Sequence, residues 1–486
     1  MDRKTFTILL IVLGIFFLVS LVSLIILNPI LWLAVYETTD LRSGTVAYAQ
    51  WTEPQIKILF EAYFFNLTNP DEFRAGQKPI VKQVGPYTYR ERRRKVDIVH
   101  RQVPKAISYR EVKEYHFDRN LSIGDESDVL TTVSLGFLAI DVKFGWLPSA
   151  VDRVIELLEN YTAEHLIIQL TVRELMWGYE DQFLKFLKSF HIPVPTTMIG
   201  LYLNKNQTDD GIIEIYSSNK MPETFGHIRK YHGSNSLTCW KSDQANMING
   251  SDGSLFHPYI DWSEEPYIFS ADICRSVQLR PKTKVKSQGV PVIKYLPFDD
   301  TFESPLKSEK NRGFCIDYPN CMKDNMIDVS TCYPGSPITM SLPHFLYADQ
   351  SYKDSVLGLN PTEDLNTTFE IEPQTGVVFF AAKKLQINAA VKNNIKFSEL
   401  AKVKDVNLPI MFMNESFTLD EETARTIRAS LVTGPLVAKV ILTTCVVVIL
   451  LACIGLIVHY WLRRRHHDVE QSGRYNPIAE EQPVVV

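Results

Sequence analysis

The sequence predicts an α+β fold in which one large domain of short strands, with an inserted helical segment, lies between two transmembrane helices. Three observations predict it. Each end of the 486-residue chain has a long apolar run, and alternating segments broken by Pro and Gly fill most of the chain between them. Residues 148–190 change to a helical period.

The C-terminal apolar run is the clearest membrane-spanning element. Residues 440–462 have no formal charge and are rich in Val, Ile and Leu, and three consecutive arginines follow them. About 20 apolar residues are enough to cross the hydrocarbon core of a bilayer as a helix. We assign residues 439–462 to this helix, and the positive-inside bias places residues 463–486 in the cytosol.

The N-terminal apolar run is predicted to be an uncleaved signal anchor. A short cytosolic tail, residues 1–5, contains two basic residues, and residues 6–35 form the span and its exit. A cleavable signal peptide has an apolar region of roughly 7–15 residues, and this run is about twice too long. Residues 36–438 then form one exoplasmic loop between two cytosolic tails, long enough for one oversized domain or two closely packed ones.

The composition argues against a nucleic-acid partner and indicates an oxidising compartment. The formal net charge of −5 is too small to predict a strongly charged partner. Clustered cysteines in an exoplasmic loop indicate disulfide bonds. A zinc site is the alternative, but the sequence has no Cys-x2-Cys pair and no His pair near these cysteines. The loop cysteines are Cys239, Cys274, Cys315, Cys321 and Cys332.

Sequons for N-glycosylation occur throughout the predicted loop. Their distribution agrees with an exoplasmic location, and sugars at these sites would shield the loop from proteases. The candidate asparagines are Asn66, Asn120, Asn160, Asn206, Asn249, Asn366 and Asn414.

Short strands are predicted from residue 41 to about residue 141, and again from residue 196 to residue 417. The basic run of residues 90–95 is predicted to be the solvated side of strands and turns, with a binding patch as the alternative. A charged helical stretch over residues 418–431 is predicted to stop at Gly434-Pro435, just before the membrane.

The helical segment is predicted to form a compact subdomain. Apolar residues recur at i, i+3, i+4 and i+7 from Val151 to Leu158, with charged residues on the other face. Thr171 and Glu174 predict a capping box that opens a second helix reaching Leu187. The apolar stripe is predicted to pack internally, whereas the outer faces are candidates for ligand binding. The candidate binding residues are Val151, Arg153, Ile155, Glu156, Glu159 and His165.

Motifs of enzyme chemistry are missing from the sequence. It contains no nucleophile elbow, P-loop, dinucleotide-binding Gly fingerprint or His-Glu-x-x-His motif. We therefore predict no catalytic residue, no cofactor and no metal, and favour a receptor or carrier over an enzyme.

Five short motifs, together with two terminal spans around a loop rich in sequons, resemble the class B scavenger receptor family over nearly the whole chain. The motifs are Gly85-Pro86-Tyr87-Thr88-Tyr89-Arg90-Glu91, Leu175-Met176-Trp177-Gly178-Tyr179, Asn246-Met247-Ile248-Asn249-Gly250, Asp272-Ile273-Cys274-Arg275-Ser276-Val277 and Ser341-Leu342-Pro343-His344-Phe345. The resemblance implies an antiparallel β-barrel with a helical bundle at its apex, residues 148–190, and an apolar tunnel towards the bilayer.

The resemblance also implies disulfide pairing. Cys274 would pair with Cys332, and Cys315 with Cys321. Relatives often have a Cys directly before the Asn-Met-Ile-Asn-Gly motif, where this chain has Ala245. A third bridge is therefore incomplete, and Cys239 is left over.

Two hypotheses of function follow from the resemblance. The first is a scavenger-type receptor that binds lipids or lipoproteins at the apex and passes lipid through a tunnel to the membrane. The second is a lysosomal membrane glycoprotein that sorts a soluble hydrolase and responds to pH, and a structural coat protein of the lysosomal membrane is a third possibility. Histidines that would titrate between neutral and lysosomal pH are His100, His116, His165, His191, His227, His232, His257 and His344.

The C-terminal tail contains a candidate sorting signal. Tyr475-Asn476-Pro477-Ile478 fits the Tyr-x-x-apolar pattern that clathrin adaptors bind as an extended peptide, with Tyr475 and Ile478 in two pockets. The tail lacks the acidic dileucine signal of the family's lysosomal member. The terminal residues 484–486 suit a PDZ groove, with less support. We predict both a plasma-membrane and an endosomal or lysosomal location.

Overall fold

The structure is a computed structural model that describes residues 3–144, 165–189, 191, 194 and 196–473. It divides into two units, Thr38–Ala424 and the described residues on either side of that range. The described helices are α1 (Arg3–Thr38), α2 (Val46–Thr52), α3 (Pro70–Arg74), α4 (Leu135–Phe144), α5 (Val172–Trp177), α6 (Gln182–Ser189), α7 (Gln350–Ser355), α8 (Glu421–Arg428) and α9 (Gly434–Gly473).

The terminal helices are long and apolar enough to span a membrane, as predicted. The rings of Phe6 in α1 and Tyr460 in α9 stack with their centroids 4.1 Å apart. The start of the first apolar run therefore lies beside the end of the second, as in two antiparallel helices. The side of the membrane on which the tails lie stays a prediction.

The prediction that the charged stretch stops at Gly434-Pro435 is wrong. Helix α8 continues into α9 through a π-helical turn, Ala429–Thr433. The Gly434 N–H donates to the Ala429 carbonyl, five residues back, so the turn is wider than an α-turn. Pro435 lies in the first turn after this widening, where a missing N–H is tolerated.

Strands dominate the other unit. They are β1 (Ile58–Leu67), β2 (Val81–Arg101), β3 (Ala106–Phe117), β4 (Val129–Val133), β5 (Ile167–Thr171), β6 (Tyr179–Glu180), β7 (Met198–Ile199), β8 (Thr208–Tyr216), β9 (Ile228–Tyr231), β10 (Tyr267–Ser270), β11 (Arg275–Ser287), β12 (Val290–Pro297), β13 (Met326–Asp328), β14 (Ile338–Ser341), β15 (Thr368–Ile371), β16 (Val378–Val391) and β17 (Val406–Thr418).

Thirteen of these strands form one antiparallel sheet. Its main path runs β10, β11, β12, β15, β16, β17, β1, β2, β3, β8, β9, and β14 adds to β16 and carries β13. The long neighbours β16 and β17 pair from Phe380 with Thr418 to Val391 with Val406, with one register shift between Ile387 and Asn388. A bulge of this kind bends a sheet and increases its twist, which favours closure.

The two ends of this path, β9 and β10, are bridged by the end of the Asn-Met-Ile-Asn-Gly motif. Ile228 of β9 donates to the Gly250 carbonyl at 2.8 Å, and Phe269 of β10 donates to the Ser251 carbonyl at 2.8 Å. The sheet is thereby nearly closed into a barrel. The α+β fold and the antiparallel barrel are confirmed, whereas residues 148–164 of the predicted apical segment, which include its first helix, lie outside the described residues.

An aromatic cluster fills part of the barrel. The ring of Phe60 lies 5.4 Å from that of Tyr115 and 4.8 Å from that of Tyr202. Trp177, from the Leu-Met-Trp-Gly-Tyr motif, packs edge-on against Tyr89 at 5.2 Å. Edge-to-face pairs of this kind add to the stabilisation that burial alone provides.

The single helix predicted from the capping box to Leu187 is two helices. The capping box itself is confirmed, because Thr171 and Glu174 bond each other's backbone N–H groups. Helix α5 then ends at Gly178, whose φ of +118° lies in the region that favours glycine. The strand β6 follows before α6 begins. Residues 167–171, predicted to be helical, form strand β5 beside β4.

Candidate functional site

A cavity of about 100 Å³ lies among strands β10 to β16. Its walls are mainly apolar, and removing hydrocarbon from water yields about 25 cal/mol per Å². Pockets that enclose a drug-sized ligand are roughly 300–1,000 Å³, so this space fits one acyl segment rather than a whole lipid. The apolar lining residues are Ile268, Ile273, Val277, Leu279, Phe302, Ile327, Leu342, Phe369 and Leu385.

Polar groups interrupt the apolar wall. The Ser270 hydroxyl is buried and has no hydrogen-bond partner among the described residues. Lys383 and Lys384 of β16 also line the cavity, and the Lys384 amine donates to the Asp364 carbonyl at 2.5 Å. Burial lowers the pKa of Lys384. The cavity therefore matches a ligand that has an apolar chain and a polar group.

An ion pair borders this cavity. The Lys383 amine bonds the carboxylate of Asp272, which lies in the turn before β11. Their side chains are 29% and 30% exposed. Burial alone would raise the pKa of Asp272, but the charges of Lys383 and Lys113 outweigh it and lower that pKa. Both members of the pair are therefore charged.

Three further charged residues meet inside the barrel. Arg93 of β2 bonds the neighbouring Glu91 at 2.6 Å and also pairs with Glu415 of β17. Burial raises the pKa of Glu91, whose side chain is 0% exposed, and its second oxygen has no partner among the described residues. Burial also acts to raise the pKa of Glu415, but Arg93 and neighbouring lysines lower it to about 2. Of the two carboxylates, Glu91 is the one more easily protonated.

The charge of Lys113 in β3 acts on both the Asp272–Lys383 pair and the carboxylates inside the barrel. It helps to lower the pKa of Asp272, and it opposes the rise that Asp272 causes in the pKa of Lys383. Burial and the charge of Arg93 would lower the pKa of Lys113 itself, but Tyr115, Glu415 and Glu91 raise it overall. Among the described residues its amine forms no ion pair and no side-chain hydrogen bond. Within the described part of the chain, the barrel interior therefore contains a cation without a directly bonded carboxylate.

The basic run of residues 90–95 alternates between solvent and interior. Its even-numbered arginines are 48–66% exposed, whereas Arg93 and Lys95 are 18% and 2% exposed. Lys95 pairs with Glu111 at 2.8 Å. The prediction of a solvated run is right for one face of β2 and wrong for the other, because successive strand residues point to opposite faces.

The loop histidines differ in environment. His344 is buried, its Nε2 lies 2.6 Å from Gln83 Oε1, and its Nδ1 accepts from the Asn360 N–H at 3.0 Å. Burial lowers the pKa of His344 to about 4. Burial would also lower the pKa of His257, but its bond to Glu264, at 2.5 Å, raises it overall. His165 is 54% exposed and lies 3.5 Å from Glu399.

The cysteines are arranged differently from what the resemblance implied. Cys315 and Cys321 are bonded. Cys274 and Cys332 are not bonded to each other, and Cys239 joins them in one cluster. The three sulfur atoms all lie within 4.8 Å of one another, so Cys239 is a neighbour of the predicted pair and not a distant leftover.

The other predicted sites divide into described and undescribed residues. Asn120 is exposed, whereas Asn66, Asn206, Asn249, Asn366 and Asn414 are half-buried, and Asn366 lines the cavity. The following lie outside the described residues: Asn160, the apical Val151, Arg153, Ile155, Glu156 and Glu159, and the tail residues Tyr475 and Ile478. Use of the sequons, of the apex and of the sorting signal stays a prediction.

The charged residues inside the barrel were not predicted from the sequence. One signal was available for Lys113, because Tyr109, Glu111 and Tyr115 alternate with it on one face of β3. Lys383 gave no such signal, since its partner Asp272 is 111 residues away in the chain.

Comparison with known proteins gives the same family along the whole chain. The model of the CD36 family matches residues 8–460. Lysosome membrane protein 2 of Rattus norvegicus is 35% identical over 403 residues, which cover 82% of this chain and 83% of that protein. The Homo sapiens protein of the same name gives the same identity and coverage. Scavenger receptor class B member 1 of Sus scrofa is 29% identical over 440 residues, covering 90% and 85% of the two chains.

Proposed function

The chain belongs to the CD36 family, and from this we propose that it is a scavenger-type membrane receptor that holds a segment of the acyl chain of an amphipathic lipid in its cavity. One observation supports the ligand class above all others. An apolar cavity is bordered by the Lys383–Asp272 pair, and Lys113, which forms no ion pair with any described residue, lies within electrostatic reach of both. An acyl chain would pack on the apolar wall, and its anionic group would lie towards the cation.

An anionic lipid suits this charge distribution better than a neutral one. Arg93, Lys113 and Lys383 face Glu91, Glu415 and Asp272, so the formal charges cancel when all six are ionised. Arg93 pairs with Glu91 and Glu415, and Lys383 pairs with Asp272, whereas Lys113 forms no ion pair among the described residues. A buried charge without a partner is costly, and a bound carboxylate or phosphate would remove that cost.

Delivery of lipid to a bilayer is the second part of the proposal. Two helices long enough to span a membrane anchor the chain, so lipid leaving the cavity has a bilayer available on the same molecule. No catalytic step is required for such transfer, and relatives are named as a receptor and a membrane protein.

The relatives support two locations. One group is named for the lysosome and the other as scavenger receptors. We propose that Tyr475 and Ile478 bind clathrin adaptors and that the protein reaches the lysosome through the cell surface. Tyr475→Ala should then increase surface abundance, and unchanged surface abundance would contradict this part. Sorting of a soluble hydrolase, which the resemblance implied, is the alternative function, and the higher identity to the relatives named for the lysosome supports a lysosomal location.

Lipid that co-purifies with the protein tests the ligand class. We would extract the full chain in detergent, release bound lipid and identify it by mass spectrometry. Val277→Phe enlarges a side chain that lines the cavity, and Val99→Phe makes the same change at a strand position that is 54% exposed. We expect Val277→Phe to lose bound acyl lipid and Val99→Phe to retain it. Equal lipid in both variants, with equal melting temperatures, would contradict the proposal.

A further inference from the structure

Three cysteine thiols from distant parts of the chain meet in one cluster. Cys239 follows β9, Cys274 lies between β10 and β11, and Cys332 lies between β13 and β14. Their sulfur atoms all lie within 4.8 Å of one another. The Cys239 and Cys332 sulfurs are 3.4 Å apart, about 1.4 Å more than the bonded distance of a disulfide. Only two of the three can be bonded at one time.

Hydrogen bonds hold the Cys239 segment against the Cys274 turn without any disulfide. The Trp240 indole N–H donates to the Cys274 carbonyl at 2.7 Å. Asn246 fixes Trp240 in turn, because its amide nitrogen donates to the Trp240 carbonyl and its amide oxygen accepts from the Trp240 N–H, both at 2.9 Å. The third thiol is therefore held in place next to the other two.

The Cys332 segment is tied to the same turn. The Tyr333 hydroxyl donates to the Asp272 carbonyl at 3.2 Å. Both hydrogen bonds go to main-chain carbonyls of the turn that contains Cys274, so they do not depend on which sulfurs are bonded. All three sulfurs are also half-buried, which limits the access of outside thiols.

We propose that Cys239, Cys274 and Cys332 form a thiol–disulfide exchange site in which Cys332 is bonded alternately to Cys274 and to Cys239. A small-molecule disulfide such as oxidised glutathione makes the first bond. It takes two electrons and two protons from two of the thiols and becomes two thiols itself. Exchange then needs no further oxidant.

In the exchange step, the Cys239 thiolate attacks the Cys332 sulfur of the Cys274–Cys332 disulfide. The bond between the Cys239 and Cys332 sulfurs forms as the bond between Cys332 and Cys274 breaks, and Cys274 leaves with the electron pair as a thiolate. The proton that Cys239 lost ends on Cys274. The reverse step restores the first bond, so exchange changes the pairing and not the oxidation state.

The exchange step frees the turn between β10 and β11 from its covalent bond to Cys332, because Cys274 lies in that turn. The turn released in this step also contains Asp272, the partner of Lys383, and Ile273, which lines the cavity.

Mapping of the bonds in the unmodified full chain is the first test. We would extract the protein in detergent, block free thiols with N-ethylmaleimide, digest without reduction and identify the peptides by mass spectrometry. We expect both Cys274–Cys332 and Cys239–Cys332 peptides, with the label divided between Cys239 and Cys274 and summing to one thiol per cluster. The Cys315–Cys321 peptide is the internal standard and should be fully bonded in every sample.

Two outcomes of this mapping would overturn the proposal. Label on Cys239 alone, with only the Cys274–Cys332 peptide, would mean a static disulfide beside a spectator thiol. Three thiols that react with N-ethylmaleimide only after a chelator is added would mean a soft-metal site instead.

Single substitutions provide the second test. Cys274→Ser should form the Cys239–Cys332 bond, and the matched variant Cys239→Ser should form the Cys274–Cys332 bond. A Cys274→Ser protein that leaves the endoplasmic reticulum normally, yet has both remaining thiols fully labelled, would overturn the proposal. If Cys274→Ser fails to fold, the disulfide mapping of the unmodified chain tests the proposal by itself.

Discussion

Lys383 of β16 and Asp272 of the turn before β11 form an ion pair at the edge of the apolar cavity. The two residues are 111 positions apart in the chain, so only the tertiary fold brings them together. Each is less than a third exposed, so each charge depends on the other for part of the solvation that it loses on folding.

Removing one member of this pair should destabilise the fold more than removing both. Lys383→Met leaves the Asp272 carboxylate without its cation, and we expect a loss of about 1–3 kcal/mol, below the figure for fully buried pairs because some water reaches them. Lys383→Met with Asp272→Asn should recover part of that loss. The measurement is chemical unfolding of the detergent-solubilised chain, followed by tryptophan fluorescence. Additive losses in the double variant would show that the two charges do not stabilise each other.

Lys113 is expected to contribute to ligand binding. Lys113→Met removes an amine that forms no ion pair among the described residues, so no carboxylate loses a bonded partner. We expect weaker binding of a long-chain fatty acid, with a smaller effect on a neutral acyl ester. Titration with a fluorescent fatty acid measures this. Lys105→Met, at an exposed turn, is the control and should bind as the unmodified protein does. Equal affinity in the unmodified protein, Lys113→Met and Lys105→Met would show that Lys113 does not take part in binding.

His344 should make folding stability fall at acidic pH. Its folded pKa is lowered to about 4 from 6.5, so below pH 6.5 the unfolded chain takes up a proton that the folded chain does not. The stabilisation is fully present above pH 6.5 and is lost as pH falls towards 4, by about 2 kcal/mol at pH 5. His344→Asn should lose this dependence, and Asn tolerates the left-handed backbone there, φ +55°.

Thermal melts at pH 7 and pH 5 check this prediction. His116→Asn is the matched control, because the His116 side chain is 64% exposed. The drop in melting temperature between the two pH values should be smaller in His344→Asn than in the unmodified protein and unchanged in His116→Asn. An equal drop in all three would contradict the role of His344.

Features that depend on neighbouring residues were predictable from the sequence. The two apolar helices and the Thr171–Glu174 capping box follow from local composition and spacing, and the structure contains them. Local patterns gave wrong helix ends at two positions. A helix ends at Gly178 although the apolar spacing of the sequence continues beyond it, and another helix continues past Pro435 through a π-helical turn.

Features that depend on strand pairing were not predictable from the residues. Lys383 contacts Asp272 across 111 positions of the chain, and Cys239 contacts Cys332 across 93. The pairing of strands that are distant in the chain decides such contacts, and a short stretch of sequence does not reveal that pairing. The resemblance supplied the barrel but not these contacts. The half-buried face of residues 90–95 could have been anticipated from strand alternation, had the interior of the barrel been expected to contain charges.

Gly250 is expected to be essential for closing the barrel. A Cβ at this position would lie 1.8 Å from the Tyr267 carbonyl oxygen, a main-chain atom that cannot rotate away, and φ is +80°. Gly250→Ala keeps the Asn249 sequon intact, so a loss of stability would not come from a lost glycan. Gly233→Ala is the matched control, because φ is +83° and no atom lies within 4 Å of its Cβ.

The difference between the two glycine variants isolates the contact at Tyr267. Backbone strain alone should cost roughly 1–2 kcal/mol in Gly233→Ala. Gly250→Ala should lose clearly more, because the Gly250–Ser251 segment must move away from β10 and the bridge between β9 and β10 opens. We would compare melting temperatures of the solubilised proteins and the protease sensitivity of the chain between residues 228 and 270. Equal losses in both variants would show that the bridge does not depend on the absence of a side chain at Gly250.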